Sequence, residues 1–356
     1  MHPMIDATRP PITDPTPIFD FYRGSAGTEL LTASVSHFGV FERLAREPRR
    51  FEALRADLHL AERPAVVLVT ALRAMGLISL DAEGRLSLTP QAREHLVPGS
   101  PFDISGYIGL SAKAPGVLEM VERLKTNRPA GSGPSQEGAA FIYRQGLESA
   151  MEKEQSARML TLALAGRAKN VAPVLAARHP LPEARVLLDV GGGTGIYAIA
   201  WLLRHPTLRA IVWDRPEVLK VATEIATAHG VVERLTCVPG DMFADPVPEA
   251  DVILLSNVLH DWDVPQNRTL IRRCAEALPP GGSLLVHDVF LNDALDGPLP
   301  VALYSAVLFT LTEGRAYSTA EYRSWLREAG LEPGAVVPTL VHCGVLPARK
   351  PGRPSL

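Results

Sequence analysis

Residues 189–195 read Asp-Val-Gly-Gly-Gly-Thr-Gly, directly after the apolar run Val186–Leu188. Glycines at the end of a buried strand let backbone approach a ligand closely, and ligands favour that edge of an open α/β sheet. The nucleoside-triphosphate loop is excluded, because no Gly-Lys-Ser/Thr triplet occurs in the chain. A dinucleotide fingerprint starting at Gly191 would need glycine at 196, where Ile196 stands. What remains is a Gly-x-Gly-x-Gly turn through Gly191 and Gly193, with Asp189 two positions before it. Two further carboxylates follow at matching places. Asp214 closes the strand-like run RAIVWD, where a carboxylate can accept from both ribose hydroxyls, and Asp241 in GDMF can meet an adenine amine with Met242 against the ring.

Together Asp189, Asp214 and Asp241 suit a ligand that carries an adenosine and a cation but no pyrophosphate. S-adenosyl-L-methionine is such a ligand. Each aspartate taken alone is also an ordinary helix cap. His260 follows the run DVILLSNVL and precedes Asp261-Trp262-Asp263. Asp263 with Gln266 forms a capping-box variant, Pro265 is allowed in a first turn, and a helix is predicted from there to the breaker Pro279–Gly282. His260 thus falls between a strand end and a helix start, facing the ligand crevice, either as a proton acceptor or as a packed histidine.

These residues need a scaffold, and the pattern around them supplies one. From Arg185 onward the chain alternates strands (186–190, 209–214, 235–241, 251–259, 283–290) with helices from about Tyr197 to Arg204, over Pro216–His229 and after Asp263. That alternation predicts a mostly parallel sheet with helices on both faces. Ahead of it, Ala33–Leu44, Phe51–Leu58 and Pro64–Met75 carry apolar residues at helical spacing, the last almost all round. A hairpin pattern follows around Asp81-Ala82-Glu83-Gly84. Three helices and a hairpin make a winged-helix outline. The segment 1–19 reads as a proline-rich arm, 20–105 as the winged-helix domain, 106–184 as a helical connector and 185–356 as the ligand-binding α/β domain.

At 356 residues, about 150 per domain, the chain has room for two cores. Thirty-six Lys and Arg against 39 Asp and Glu give a net charge of −3, which argues against a general nucleic-acid or anionic-membrane binder. No apolar run approaches the ~18 residues of a membrane span, and the N-terminus lacks an apolar signal region. The cysteines, Cys237, Cys274 and Cys343, show neither disulfide nor metal spacing. A cytoplasmic protein without a metal is expected.

LLDVGGGTG, WDRPEV, GDMF and NVLHDWD together resemble the small-molecule O-methyltransferases of the plant caffeate and bacterial polyketide-tailoring type, including acetylserotonin-type members. The likeness spans nearly the whole chain. It implies a Rossmann-like methyltransferase domain with a seven-stranded sheet, its antiparallel strand drawn from 339–349, behind a mainly α winged-helix dimerisation domain. It also implies S-adenosyl-L-methionine as cosubstrate, S-adenosyl-L-homocysteine as product, a small-molecule acceptor and a homodimer. His260 then matches the family's general base and Asp288 its acidic partner. The base is needed because a phenol of pKa ~10 is a poor nucleophile at neutral pH. Proton transfer to an imidazole of pKa ~6.5 is uphill by about 3.5 units, or roughly 5 kcal/mol.

Other positions carry over by the same likeness. Trp262 is expected against the adenine or as a core aromatic, and Ser256 stands where plant members carry a cofactor-contacting lysine. Met151 matches a methionine near the acceptor, or a helix-core methionine. Asn257 could reach the acceptor or cap backbone, while Leu308 and Phe309 could wall the pocket or fill a core. The chain departs from the plant pattern at Ala316, which replaces a glutamate.

Two other readings follow from the same residues. A DNA-binding winged helix would need polar side chains on PAVVLVTALRAM, which offers only Arg73, with Arg63 just before it; residues 36–98 hold nine Arg against eight acidic residues. A repurposed scaffold, or a C- or N-methyltransferase, would keep the cosubstrate but change the chemistry.

Overall fold

The run Val186–Val190 is apolar on both faces except for Asp189, as a central strand covered by helices on each side must be. In the computed structural model, which describes residue 7 and residues 9–129 and 154–352, it is the middle of a sheet. The chain divides into two compact units. One comprises Met1–Phe19, Phe141–Phe290 and Thr319–Leu356, and the other Asp20–Ala140 and Leu291–Ser318. Residues 291–318 therefore cluster with the N-terminal helices, although they lie within the sequence span assigned above to the α/β domain.

Seven strands of the nine-stranded main sheet lie on one hydrogen-bonded path. We number them β1 (Val186–Val190), β2 (Arg209–Asp214), β3 (Leu235–Pro239), β4 (Val252–Ser256), β5 (Ser283–Leu291), β6 (Val337–Pro338) and β7 (Cys343–Arg349). Their order is β6-β7-β5-β4-β1-β2-β3. The pairs β1·β2, β2·β3, β1·β4 and β4·β5 are parallel. The antiparallel strand expected in 339–349 is β7, which pairs with β5 from Cys343↔Val289 to Arg349↔Ser283. Helices α1 (Glu154–Arg178), α2 (Ile196–Arg204), α3 (Pro216–Ala228), α4 (Val264–Ala277) and α5 (Thr319–Glu328) complete the first unit.

Two local expectations change. The strand expected over 251–259 stops at Ser256, because Asn257 turns the chain with φ +57°. The capping box at α4 is not made. Asp263 Oδ1 accepts from the adjacent Val264 N–H at 2.8 Å, and Gln266 Oε1 is buried without a partner.

The second unit contains helices Ser25–Ser36, Val40–Arg46, Phe51–Asp57 and Glu62–Ala74, then the antiparallel hairpin Ile78–Leu80 with Leu86–Leu88. The helical pattern over 33–44 is two helices, not one, since Gly39 at φ +54° starts the second. Helix Glu62–Ala74 is buried nearly all round, as its composition requires, and helix Leu299–Leu311 contributes Phe309 to the same core. Arg63 is buried within this unit. It donates to the Asn127, Thr312 and Gly314 carbonyls, and its guanidinium lies 4.7 Å above the Phe309 ring. Arg73 donates to the carbonyls of Ala294 and Leu295. Both arginines of the candidate DNA-reading helix are thus held by their own unit. Among the described residues no helix is long and apolar enough to cross a membrane.

Candidate active site

At the carboxyl end of β1 the chain makes a glycine turn whose shape depends on missing side chains. A Cβ on Gly192 would stand 2.7 Å from Asp189 Cγ, and Gly195 enters α2 at φ +68°. Gly193 N–H donates to Asp214 Oδ2 at 2.9 Å, and Arg215 N–H donates to Asp214 Oδ1 at 2.7 Å. Burial pushes the Asp214 carboxyl up against the pull of these two N–H groups. Asp189 lies wholly buried under the turn, with both oxygens lacking hydrogen-bond geometry to any partner. Burial, then the charge of Asp214, raises it to about 7. A buried carboxylate drawn down by little more than the Ala198 N–H, below a turn that a Cβ at Gly192 would crowd, fits a cationic ligand approached by backbone.

The third aspartate belongs to the same edge. Asp241 is exposed after β3 and accepts from Phe243 N–H at 2.7 Å. A Cβ on Gly191 would lie 3.5 Å from the Met242 methyl, so Met242 reaches the glycine turn. Phe243 packs edge-on to Trp262 with ring centroids 4.7 Å apart, and Trp262 is itself buried. The structure therefore gathers Asp189, Gly191, Gly193, Asp214, Met242 and Trp262 along one edge. An adenosine there would have the Asp214 carboxylate for its ribose, and Asp241 and Met242 for its base.

His260 sits in a single 3-10 turn, Leu259–Asp261, between β4 and α4. Its Nδ1 lies 2.6 Å from Asp288 Oδ1, and both side chains are buried. Asp288 Oδ1 also accepts from Val289 N–H at 2.8 Å, and Oδ2 from the Tyr322 hydroxyl on α5 at 3.3 Å. Burial raises the Asp288 carboxyl, but the His260 charge and hydrogen bond, the Val289 N–H and the Arg167 charge outweigh it and hold the group below the usual carboxylate range. An ionised Asp288 accepts a proton on Nδ1, which leaves the Nε2 lone pair as the basic site. Asp261 Oδ1 is 3.7 Å from that Nε2, and burial raises Asp261 to about 6.

Asp261, Tyr322 and Arg167 were missed as site residues at the level of sequence. Asp261 was legible as the neighbour of His260. Tyr322 and Arg167 come from other helices and carry no local signal. A second cluster forms at the end of β4: Ser256 Oγ lies 2.9 Å from His287 Nδ1, and Asn257 Nδ2 is 3.0 Å from Ser256 Oγ.

Of the remaining candidates, two belong to the other unit. Leu308 and Phe309 are buried on helix Leu299–Leu311 in the other unit, with Phe309 wholly inside its core. Ala316 is also fully buried there, its N–H donating to Ser305 Oγ at 3.1 Å. Met151 lies outside the described residues.

A family model described as an O-methyltransferase domain matches residues 138–332. The chain is 36% identical over 326 residues to a 3-hydroxy-5-methyl-1-naphthoate 3-O-methyltransferase of Streptomyces sahachiroi, covering 91% of each. It is 33% identical over 322 residues to the acetylserotonin O-methyltransferase of Bos taurus, covering 87% of this chain and 90% of that protein. Among solved structures it resembles an O-methyltransferase family 2 protein from Planctomyces limnophilus in complex with apigenin. That likeness has 49% identity, a TM-score of 0.88, and coverage of 97% of this chain and 98% of the other.

Proposed function

This chain belongs to the O-methyltransferase family, and from that premise we propose that it methylates a phenolic hydroxyl of an aromatic or polyketide-type small molecule, with His260 as general base. As a member it is an S-adenosylmethionine-dependent O-methyltransferase. The bound cosubstrate supplies a methyl group on positively charged sulfur, open to in-line attack by oxygen. Asp214 would take its ribose, Asp241, Met242 and Trp262 its adenine, and the Gly191–Gly193 backbone above Asp189 its cationic end. Naphthoate and apigenin, the molecules in the names of two relatives, are aromatic and support a phenolic acceptor.

The observation that carries the reading is the 2.6 Å contact between His260 Nδ1 and Asp288 Oδ1. It fixes the tautomer, so Nε2 takes the acceptor proton. The Asp288 carboxylate beside the ring also stabilises the imidazolium that forms as the phenol loses its proton. Asp261 on the Nε2 side adds a second negative charge. A homodimer is part of the same reading. Phe21, Tyr22, Tyr107 and Leu110 of the N-terminal unit are exposed and would be covered by a second copy of a winged-helix dimerisation domain. The enzyme is assigned to the cytoplasm on the same footing.

The test is methyl transfer from labelled cosubstrate to a panel of flavones, hydroxynaphthoates and simple phenols, comparing wild type with His260→Ala. A product heavier by one CH2, and a loss of about a hundredfold or more in the variant, are expected. Equal turnover by the variant would remove the base role. A product of unchanged mass would overturn methyl transfer.

A further inference from the structure

Beyond the His260 pair, the carboxyl edge holds a chain of polar side chains that the reaction as described does not use. Asn257 stands in the left-handed region directly after β4, and its N–H donates to the His287 carbonyl at 2.8 Å. Its Nδ2 donates to Ser256 Oγ at 3.0 Å and to the Tyr197 hydroxyl at 3.3 Å. Both amide hydrogens are thereby used, and Oδ1 is left buried with no partner. An unpaired buried carbonyl oxygen, on a residue held in a strained backbone conformation, marks a place where a donor is missing.

The direction of the chain follows from its donors. Ser256 Oγ accepts from Asn257 Nδ2, so the serine hydrogen is free for His287 Nδ1 at 2.9 Å. His287 then carries its own proton on Nε2 and donates to Thr339 Oγ1 at 3.1 Å. The opposite tautomer would send the serine hydrogen toward Asn257 and turn its NH2 outward. His287 is wholly buried, and burial lowers it to about 3, so it stays neutral with one donor and one acceptor nitrogen.

The strand order indicates what the free oxygen meets. Asp241 follows β3, Asp214 closes β2, the glycine turn follows β1, and Asn257 follows β4. With the adenosine assigned to the first two, Asn257 falls to the amino-acid end of the cosubstrate, whose hydrogen-bond donor is an ammonium. We infer that His287 is a positioning residue that holds the Asn257 carboxamide, through Ser256, with its carbonyl oxygen presented to the methionyl ammonium of S-adenosylmethionine. The inference rests on the cosubstrate assigned under the proposed function.

The experiment is calorimetric binding of S-adenosylmethionine and S-adenosylhomocysteine to the full-length protein, with steady-state kinetics alongside. His287→Leu weakens both ligands by about tenfold, raises KM for the cosubstrate alike, and leaves kcat at saturation and acceptor KM within about twofold. Asn257→Asp in the His287→Leu background has an oxygen at both ends and recovers the affinity to within about threefold of wild type. Thr339→Val, which removes the Nε2 partner, weakens binding in the same sense and serves if His287→Leu does not fold. Unchanged affinity in the folded variants, or no recovery with aspartate, overturns the inference. A loss confined to S-adenosylmethionine overturns the ammonium contact, because both ligands carry that group. Wild-type protein that binds neither ligand would overturn the proposed function itself.

Discussion

His260 and Asp288, 28 residues apart in the chain, meet through a 2.6 Å contact between Nδ1 and Oδ1. The register of two parallel strands brings this about. Ser256 pairs with His287 across β4 and β5, so Asp288 lies beside the turn that carries His260. The neighbouring Val289 N–H and Tyr322 hydroxyl then hold the carboxylate still.

Asp288→Asn tests that relationship directly. The amide can present its NH2 to Nδ1 and force the proton onto Nε2, the wrong tautomer for a base. A fall in kcat of about a hundredfold or more is expected, with cosubstrate affinity by calorimetry unchanged. A kcat within fivefold of wild type would show that the carboxylate is dispensable.

Asp261 supplies a pH test whose sign is fixed. Its carboxyl is raised to about 6, so its negative charge, which favours a protonated His260, is present only above that pH. The ratio of wild-type to Asp261→Asn kcat is expected near one at pH 5 and to rise through pH 6 to a plateau of about tenfold. A ratio that stays flat from pH 5 to 8 would count against this role.

Tyr322→Phe removes the hydroxyl that hydrogen-bonds a buried carboxylate and keeps the ring. The cost is about 1–3 kcal/mol of stability and a several-fold decrease in kcat, read by denaturant titration and initial rates. Because the 3.3 Å contact is the long one of the set, its effect should be smaller than that of Asp288→Asn.

Gly192→Ala probes the turn. The added methyl would lie 2.7 Å from Asp189 Cγ and 3.0 Å from Val212 Cγ1, so either the turn or the strand beneath must shift. A destabilisation of about 1–3 kcal/mol with loss of cosubstrate binding is expected, measured by thermal melts with and without ligand. Gly230→Ala, where nothing lies within 4 Å but φ is +67°, separates backbone strain from the steric effect.

Most of the scaffold is legible in the sequence, because strands, helices and glycine turns are written in local patterns. The run RAIVWD is a strand over Arg209–Asp214, and the helix expected over Pro216–His229 is Pro216–Ala228. Local signals failed where a single residue bent the chain. Gly39 divides one helical pattern into two helices, and Asn257 cuts β4 short. The capping box at Asp263 failed for a related reason: Asp263 took the nearest N–H instead.

By itself, then, the sequence determined the alternation of strands and helices, the glycine turn, the aspartates at strand ends and the placement of His260 after β4. Only the tertiary structure decided which side chains meet. The pairing of His260 with Asp288, the approach of Tyr322, the position of Asp261 on the Nε2 side and the relay from Thr339 through His287 to Asn257 all depend on strand register and helix packing. Register is set by burial summed over whole strands, and no short stretch of residues encodes it. The site's chemistry lies in those long-range pairings, which is why its residue types could be read from the chain and its geometry could not.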